Sequence, residues 1–353
     1  MKRRTNGLHY SIALSAALSL AAAAVAVAEV KTGTPAGDTI VGTPEADTIR
    51  ALAGNDRVLA LGGDDLVELG AGRDRGRGGD GADDVDGGRG PDLILGEAGD
   101  DTLDGNAGRD KIRGGDGADK IRGGSRGVPG HRGDLLFGNA GNDQVSGGAG
   151  FDFLAGNLGD DVLSGGPGHD RIFGGKGNDT ITGGPTASRH RRGGRGPYGD
   201  RLHGGEGNDT ISGGAGRDKM SGGLGDDTQA GGGGADLIFA NRGVDVSSGG
   251  DGNDVLWALA RGDVAFIGDP IGDVLTGGDG SDTFRVRDGE VDRITCGDGA
   301  RDRVFADQFD LITDATLTDP TGSCEQVQRR DVQPGEDSPE NRVESPSADK
   351  KEG

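Results

Sequence analysis

One residue recurs at one phase along most of this chain. Steps of nine from Asp38 reach Asp47, Asp56, Asp65, Asp74, Asp83, Asp92, Asp101, Asp110 and Asp119. A step of 15 leads to Asp134, and nines resume through Asp143, Asp152, Asp161, Asp170 and Asp179. A step of 21 leads to Asp200, then nines through Asp209, Asp218, Asp227, Asp236, Asp245, Asp254 and Asp263, before the register loosens at Asp273, Asp282, Asp292 and Asp302. Of these 28 turns, 25 carry an apolar residue two places after the aspartate, Gly76, Gln229 and Ser247 being the exceptions. In 20 of the 28 a glycine stands two places before it, and the most regular block runs from about 51 to 256. A short fixed period marks a repeat architecture, in which each unit buries its apolar face only by stacking on its neighbours.

Composition excludes the usual alternative. Of 353 residues 76 are glycine, only 31% are hydrophobic, and 60 acids against 38 lysines and arginines leave a formal charge of −22. Too few large apolar side chains are present to offset chain entropy through an ordinary globular core. The acidic balance argues against nucleic acid and anionic membranes as partners, and for cations.

The unit is clearest at Gly174-Gly175-Lys176-Gly177-Asn178-Asp179-Thr180-Ile181-Thr182. Clustered glycines allow a tight turn with positive φ, which aims backbone carbonyls at one point. The carboxylate adds a hard charged oxygen, and oxygen-only ligands at short spacing suit Ca²⁺. The residues around the apolar position form a very short strand with that side chain inward and its neighbours outward. This unit resembles the RTX, or haemolysin-type, calcium-binding repeat, over roughly residues 33 to 305. The resemblance implies an all-β fold: a parallel β-roll, or β-solenoid, of nonapeptide calcium-binding repeats, two per coil. Residues 18 apart then stack, Asp56 over Asp74 and Asp65 over Asp83. The calcium ligands implied are Asp56, Asp65, Asp74, Asp83, Asp92, Asp101, Asp110, Asp119, Asp143, Asp152, Asp161, Asp170, Asp179, Asp209, Asp218, Asp227, Asp236, Asp245, Asp254 and Asp282. Fourteen coils at a strand spacing of ~4.8 Å make a rod on the order of 65 Å long, with at most about 26 sites between turns. Stacked carboxylates repel without a cation between them, which makes the metal part of the fold.

The ends and interruptions read differently. Residues 1–28 have a basic start at Lys2, Arg3 and Arg4, an apolar run and a small-residue site at Ala26-Val27-Ala28, which predicts a secretory signal peptide and an extracellular protein. No other apolar run approaches the length needed to span a bilayer, so no membrane span is expected in the mature chain. Inserts interrupt the roll at 125–133 and 185–199; the second holds Arg189, His190, Arg191, Arg192 and Arg195, either a solvated loop or a contact for a surface polymer. Cys296 and Cys324 are the only cysteines, read as one disulfide in an exported chain, with two free thiols as the alternative. Residues 306–328 lose the glycines and read as a C-terminal cap, and 329–353 as a disordered tail.

No His-Glu-x-x-His or Gly-x-Ser-x-Gly motif is present, and His9, His131, His169, His190 and His203 are scattered, His169 and His203 as outward, exposed residues. The expected function is calcium binding that makes a non-catalytic extracellular structural, surface or adhesion rod, with a cell-surface or matrix polymer as partner. Two other readings stay open. A secreted carbohydrate-modifying enzyme built on the roll needs an aromatic groove, and beyond the first 28 residues only Trp257 and Tyr198 supply Trp or Tyr. An ice- or mineral-binding face needs a threonine ladder, and Thr39, Thr48, Thr102, Thr180, Thr210, Thr228 and Thr283 are interspersed with Arg, Lys and Leu.

Overall fold

The computed structural model describes residues 27–124, 133–185, 199–258, 272–299, 301–313 and 323–330. The signal segment, the interiors of both inserts and the C-terminal tail lie outside the described residues. Among those described there is no helix long and apolar enough to cross a membrane.

Among the described residues thirty short strands form two sheets of fifteen, every pairing parallel. The first sheet begins at Val30–Thr32 and ends at Leu311–Ile312; the second begins at Thr39–Val41 and ends at Gln326–Arg329. Successive strands alternate between the sheets, so two nonapeptides make one coil and each strand pairs with the one two places on. Lys120–Arg122 shows why so few residues suffice. Ile121 points inward and is fully buried, while Lys120 and Arg122 face out. Ile121 stacks in register between Leu103 and Val145. Repeated fifteen times, this gives two facing stripes that form one thin core, from Ile49 and Val58 to Val304 and Ile312.

The exceptions to the apolar rule are accommodated by stacking. Gly76 leaves room for its neighbours: a Cβ there would sit 3.0 Å from Leu69 Cδ1 and 3.4 Å from Val85 Cγ1. Gln229 and Ser247 fall opposite one another in adjacent coils. Both are buried, yet Ser247 Oγ donates to Gln229 Oε1 at 3.0 Å and Gln229 Nε2 donates to the Phe239 carbonyl at 3.1 Å. A buried polar pair costs little when its members satisfy each other.

Three expectations change. The nine-residue count took Asp263 as a turn, but the Asp245 amide bonds Asp273 and the Asp254 amide bonds Asp282, each 28 residues on. An 18-residue coil plus ten extra residues separates each pair, so the two columns run from Asp245 to Asp273 and from Asp254 to Asp282; Asp263 lies outside the described residues. Segment 306–328, read as a cap, contributes strands to both sheets at Leu311–Ile312 and, with Arg329, at Gln326–Arg329. His169 and His203 are partly covered rather than exposed. His169 stacks on Phe151 at 5.0 Å, and His203 meets Phe173 edge-on at 6.1 Å, because residues in register one coil apart lie within ring-contact range.

The coil also separates residues that a nine-residue period mixes. On the first sheet the positions flanking the inward residue from Gln144 to Thr295 are nearly all Ser, Thr, Val or Ala, with Arg293 as their one charge, and Asp251, Asp279 and Asp298 stack at the turn ends of the last strands. On the second the positions flanking the inward residue carry Arg57, Arg75, Arg77, Lys111, Arg113, Arg171, Arg201, Lys219, Arg285 and Arg303 and no carboxylate among the described residues, while Asp80, Glu97, Asp116 and Glu206 lie at the turn ends of their strands. Of the threonines considered for a ladder, Thr48, Thr102, Thr180, Thr210 and Thr228 lie on the first sheet, and Thr39 and Thr283 on the second.

Candidate metal centre

The turn that ends at Asp179 shows how each site is made. Gly175 and Gly177 have φ of +129° and +125°, a region that favours glycine. Gly174 is required for a different reason. A Cβ there would lie 2.1 Å from Asp179 Oδ2 and 2.7 Å from the Gly204 carbonyl oxygen of the next coil. The missing side chain therefore leaves a cradle in which a carboxylate oxygen and a backbone carbonyl converge. Gly96 does the same for Asp101 Oδ2 and the Gly114 carbonyl, at 2.0 and 2.8 Å.

All twenty aspartates expected as ligands stand in one of two columns along the roll, one leading into each sheet. Within a column each Asp amide donates to Oδ1 of the aspartate one coil on: Asp56 to Asp74 at 2.7 Å, Asp83 to Asp101 at 2.8 Å, Asp161 to Asp179 at 2.8 Å. That bond fixes the carboxylate and leaves Oδ2 facing the cradle. In Asp56, Asp83, Asp101, Asp161, Asp179, Asp227 and Asp254, among others, Oδ2 is buried with no hydrogen-bond partner. A carboxylate held out of water without a counter-charge is costly. Burial and stacked neighbours push Asp83 up to about 6, Asp101, Asp119 and Asp161 to about 7, and Asp170 to about 8. Orphaned hard oxygens beside a backbone carbonyl fit Ca²⁺, whose flexible coordination takes six to eight such ligands.

The columns extend beyond the twenty. Asp134 and Asp200 belong to them, accepting the amides of Asp110 and Asp170, each at 2.7 Å. Arg132 and Tyr198 stand where their turns would carry glycine, so phase is the one sequence signal that marks these two aspartates. Past the loosened register, Asp273, Asp292 and Asp302 accept the amides of Asp245, Asp273 and Asp282, all at 2.8 Å. Asp310 and Glu325 then take the amides of Asp292 and Asp302 at 3.3 and 2.7 Å. The Glu325 signal was unreadable, since its turn has neither the glycines nor an aspartate.

The two ends depart from the interior in opposite ways. At the N-terminal end, Thr34 donates its amide and its hydroxyl to Asp38 Oδ2 at 2.6 and 2.9 Å, and the Thr43 amide donates to Asp47 Oδ2 at 2.6 Å. Protein donors fill the place that is open in the interior. Near the C-terminal end, Asp288 and Glu290 stand where other turns have glycine, and with the column residue Asp292 they bring ligand oxygens within 4.8 Å of one another. Burial, with Asp245, Asp288 and Glu290 close by, pushes Asp273 up to about 9, and burial beside Asp307 and Asp288 pushes Asp310 to about 8.

A second ladder runs outside the first. Asp160, Asn178, Asn208 and Asp226 precede column aspartates, and each accepts the amide of its counterpart one coil on: Asn178 to Asp160 at 2.7 Å, Asn208 to Asn178 at 2.8 Å, Asp226 to Asn208 at 2.9 Å. The doubled acids Asp160-Asp161 and Asp226-Asp227 thus split their work between an exposed backbone ladder and the buried column. The cysteines form a buried disulfide, Cys296–Cys324, with Cα atoms 5.3 Å apart.

A family model, the RTX calcium-binding nonapeptide repeat, matches residues 32–67, 41–75, 61–94, 77–112, 95–125, 133–154, 155–185, 196–229, 230–256 and 267–290, together more than half of the chain. A search of curated proteins finds no match.

Proposed function

The chain belongs to the RTX calcium-binding nonapeptide repeat family, it binds calcium, and on that premise we propose that it is a non-catalytic extracellular rod, structural or surface-associated, that calcium assembles outside the cell. The observation that carries this reading is the pair of buried carboxylate columns, in which the Oδ2 atoms of Asp56, Asp83, Asp101, Asp161, Asp179, Asp227 and Asp254 have no hydrogen-bond partner within the protein. We assign the twenty aspartates named from the sequence as ligands, and add Asp134, Asp200, Asp273, Asp292 and Asp302 to them. Because the core is one thin stripe, cation binding and folding share their free energy. Two further features support export: the basic-then-apolar start with its small-residue site, and the disulfide. Calcium is scarce inside cells and abundant outside, so such a chain stays unfolded until it leaves.

Circular dichroism during a calcium titration tests this. The expected outcome is a disordered chain in chelator and a β-rich chain at millimolar calcium. A protein that stays β-rich and protease-resistant in excess chelator overturns it.

A further inference from the structure

The outward face of the second sheet is the least expected surface on so acidic a chain. Ten lysines and arginines and no carboxylate occupy the positions that flank its inward residues among the described residues, and rings are interleaved with the cations. The carboxylates of these strands, Asp80, Glu97, Asp116 and Glu206, stand at their turn ends, where Glu97 pairs with Arg77 and Glu206 with Lys176. Phe137, Phe153 and Phe173 follow one another at 5.7 and 5.5 Å. Lys111 and Arg113 lie over Phe137 at 5.8 and 5.6 Å, and Lys219 lies over Phe239 at 5.4 Å. Arg57 and Arg75, and Arg171, Arg201 and Lys219, stand on successive coils ~4.8 Å apart, while apolar residues or rings separate the other cations along the roll. The first sheet has no such array.

We infer that the second sheet's outer face is a docking surface for an anionic polysaccharide lying along the roll, with its carboxylate or sulfate groups on the Lys and Arg rows and its sugar rings against the interleaved aromatics. The chemistry is that of an extended, flexible polyanion. Duplex DNA presents its base edges in a groove about 12 Å wide that admits a helix or a two-stranded ribbon, and a flat face many strands broad has no element to enter it. The inference rests on the calcium reading and adds a switch to it. Without calcium the formal charge is −22, which repels a polyanion, and the face does not exist because the coils are not stacked. Each bound Ca²⁺ carries two charges, so eleven ions offset the −22, and further occupancy makes the rod a net cation. Calcium therefore both builds the face and removes the repulsion.

The test uses the full chain in millimolar calcium on immobilised dextran sulfate, hyaluronate and uncharged dextran, with a single-stranded DNA oligonucleotide as a fourth ligand. The protein is expected to bind one or both charged polysaccharides and to elute with salt. A variant with Arg171→Gln, Arg201→Gln and Lys219→Gln should bind on the order of tenfold more weakly with a shallower salt dependence. A first-sheet variant with Lys120→Gln, Arg122→Gln and Arg293→Gln removes the same charge and should bind within twofold of the unaltered protein. On the unaltered protein, bound dextran sulfate should shield Lys111 and Lys219 from acetylation but not Lys120, a readout that stands even if a variant fails to fold. Equal weakening by both variants, unshielded Lys111 and Lys219, equal retention on uncharged dextran, or retention only on DNA each overturns the docking face. Binding to one charged polysaccharide and not the other identifies the anion. Circular dichroism of the same samples separates the two failures: a chain that folds with calcium but binds no polysaccharide sinks this inference alone, and one that folds without calcium sinks the calcium reading.

Discussion

The turns at Asp38 and Asp47 and the turns of the interior place the same residue at the same phase and complete it differently. At Asp38 and Asp47 a threonine four residues upstream turns its amide onto Oδ2. At Asp56, Asp101 and Asp179 the corresponding oxygen has no donor, and at Asp101 and Asp179 it faces the cradle left at Gly96 and Gly174. The backbone ladder is common to both, since the Asp38 and Asp56 amides reach Asp56 and Asp74 Oδ1 at 2.6 and 2.7 Å. The ladder alone therefore specifies the coil, and what fills the second carboxylate oxygen decides whether a coil depends on calcium. A threonine in the turn makes a coil self-sufficient at the end, where one side has no neighbour. Where no such donor reaches the oxygen, as at Asp56, Asp101 and Asp179, the coil depends on a cation that also ties it to the coils above and below.

The largest expected effect is that of calcium itself. Chelation should abolish amide protection in interior strands such as Lys111–Asp116 and Arg171–Lys176, because every Oδ2 there loses its partner together. Protection that survives in chelator, measured by hydrogen exchange, would erase the distinction between end and interior. Next comes substitution at single sites. Asp101→Asn removes the charge from an open cradle and should raise the calcium midpoint for folding severalfold. Asp47→Asn keeps an acceptor for the Thr43 amide and should leave the midpoint within twofold. Equal midpoints would mean that the metal array extends to the first turns.

Acidity offers a third comparison. Asp101, Asp119 and Asp161 are raised to about 7 by burial and by neighbouring carboxylates, well above their unfolded value. Without calcium the folded form thus binds more protons than the unfolded one, and its stability falls as pH rises from about 4 through about 7. With calcium present, protons compete for the same oxygens, so the calcium midpoint should rise as pH is lowered from 8 to 5.5, with protons released on binding. Asp47 is instead lowered: although burial raises it, hydrogen bonds from Glu29 and Thr43 and nearby Lys31 prevail, and it should contribute nothing to that dependence. A calcium midpoint flat across this range would show that the interior carboxylates are not the ligands. At the other end, Cys296→Ser with Cys324→Ser should cost the last coils about 3.5 kcal/mol of loop-closure constraint and leave the calcium midpoint of the interior unchanged. Limited proteolysis should then cut first near the C-terminal end; an unchanged pattern would show that the bridge does not hold those coils. The smallest effect belongs to Thr34→Val, which removes the hydroxyl donor to Asp38 but keeps the amide. It should cost about 1 kcal/mol locally, seen as faster exchange in Thr39–Val41.

Most of the architecture was legible in the residues. The nine-residue phase named both carboxylate columns, the glycines announced the turns, and the apolar position two after each aspartate gave the core. Each of these is a property of one turn and its neighbours, so a local pattern specifies it. The readings that failed involve residues that meet only through stacking. Asp263 kept the right phase, yet its segment is extra length between Asp254 and Asp273, and only the register of Asp245 on Asp273 shows it. Glu325 completes a column without any motif, because the ladder amide of Asp302 is already in place to receive it.

The two faces mark the same boundary between sequence and tertiary structure. Along the chain, Thr180, Arg171 and Thr210 alternate without order, and the outward residues look like a mixture. The sequence by itself determined the turn, the metal chemistry and the strand that follows, because those depend on residues within one nonapeptide. The tertiary structure decided which residues share a face. A coil holds two nonapeptides, so alternate repeats fall on opposite sheets, hydroxyls collecting on one side and cations and rings on the other. After each insert the parallel register resumes where the next aspartate, Asp134 or Asp200, accepts its neighbour's amide.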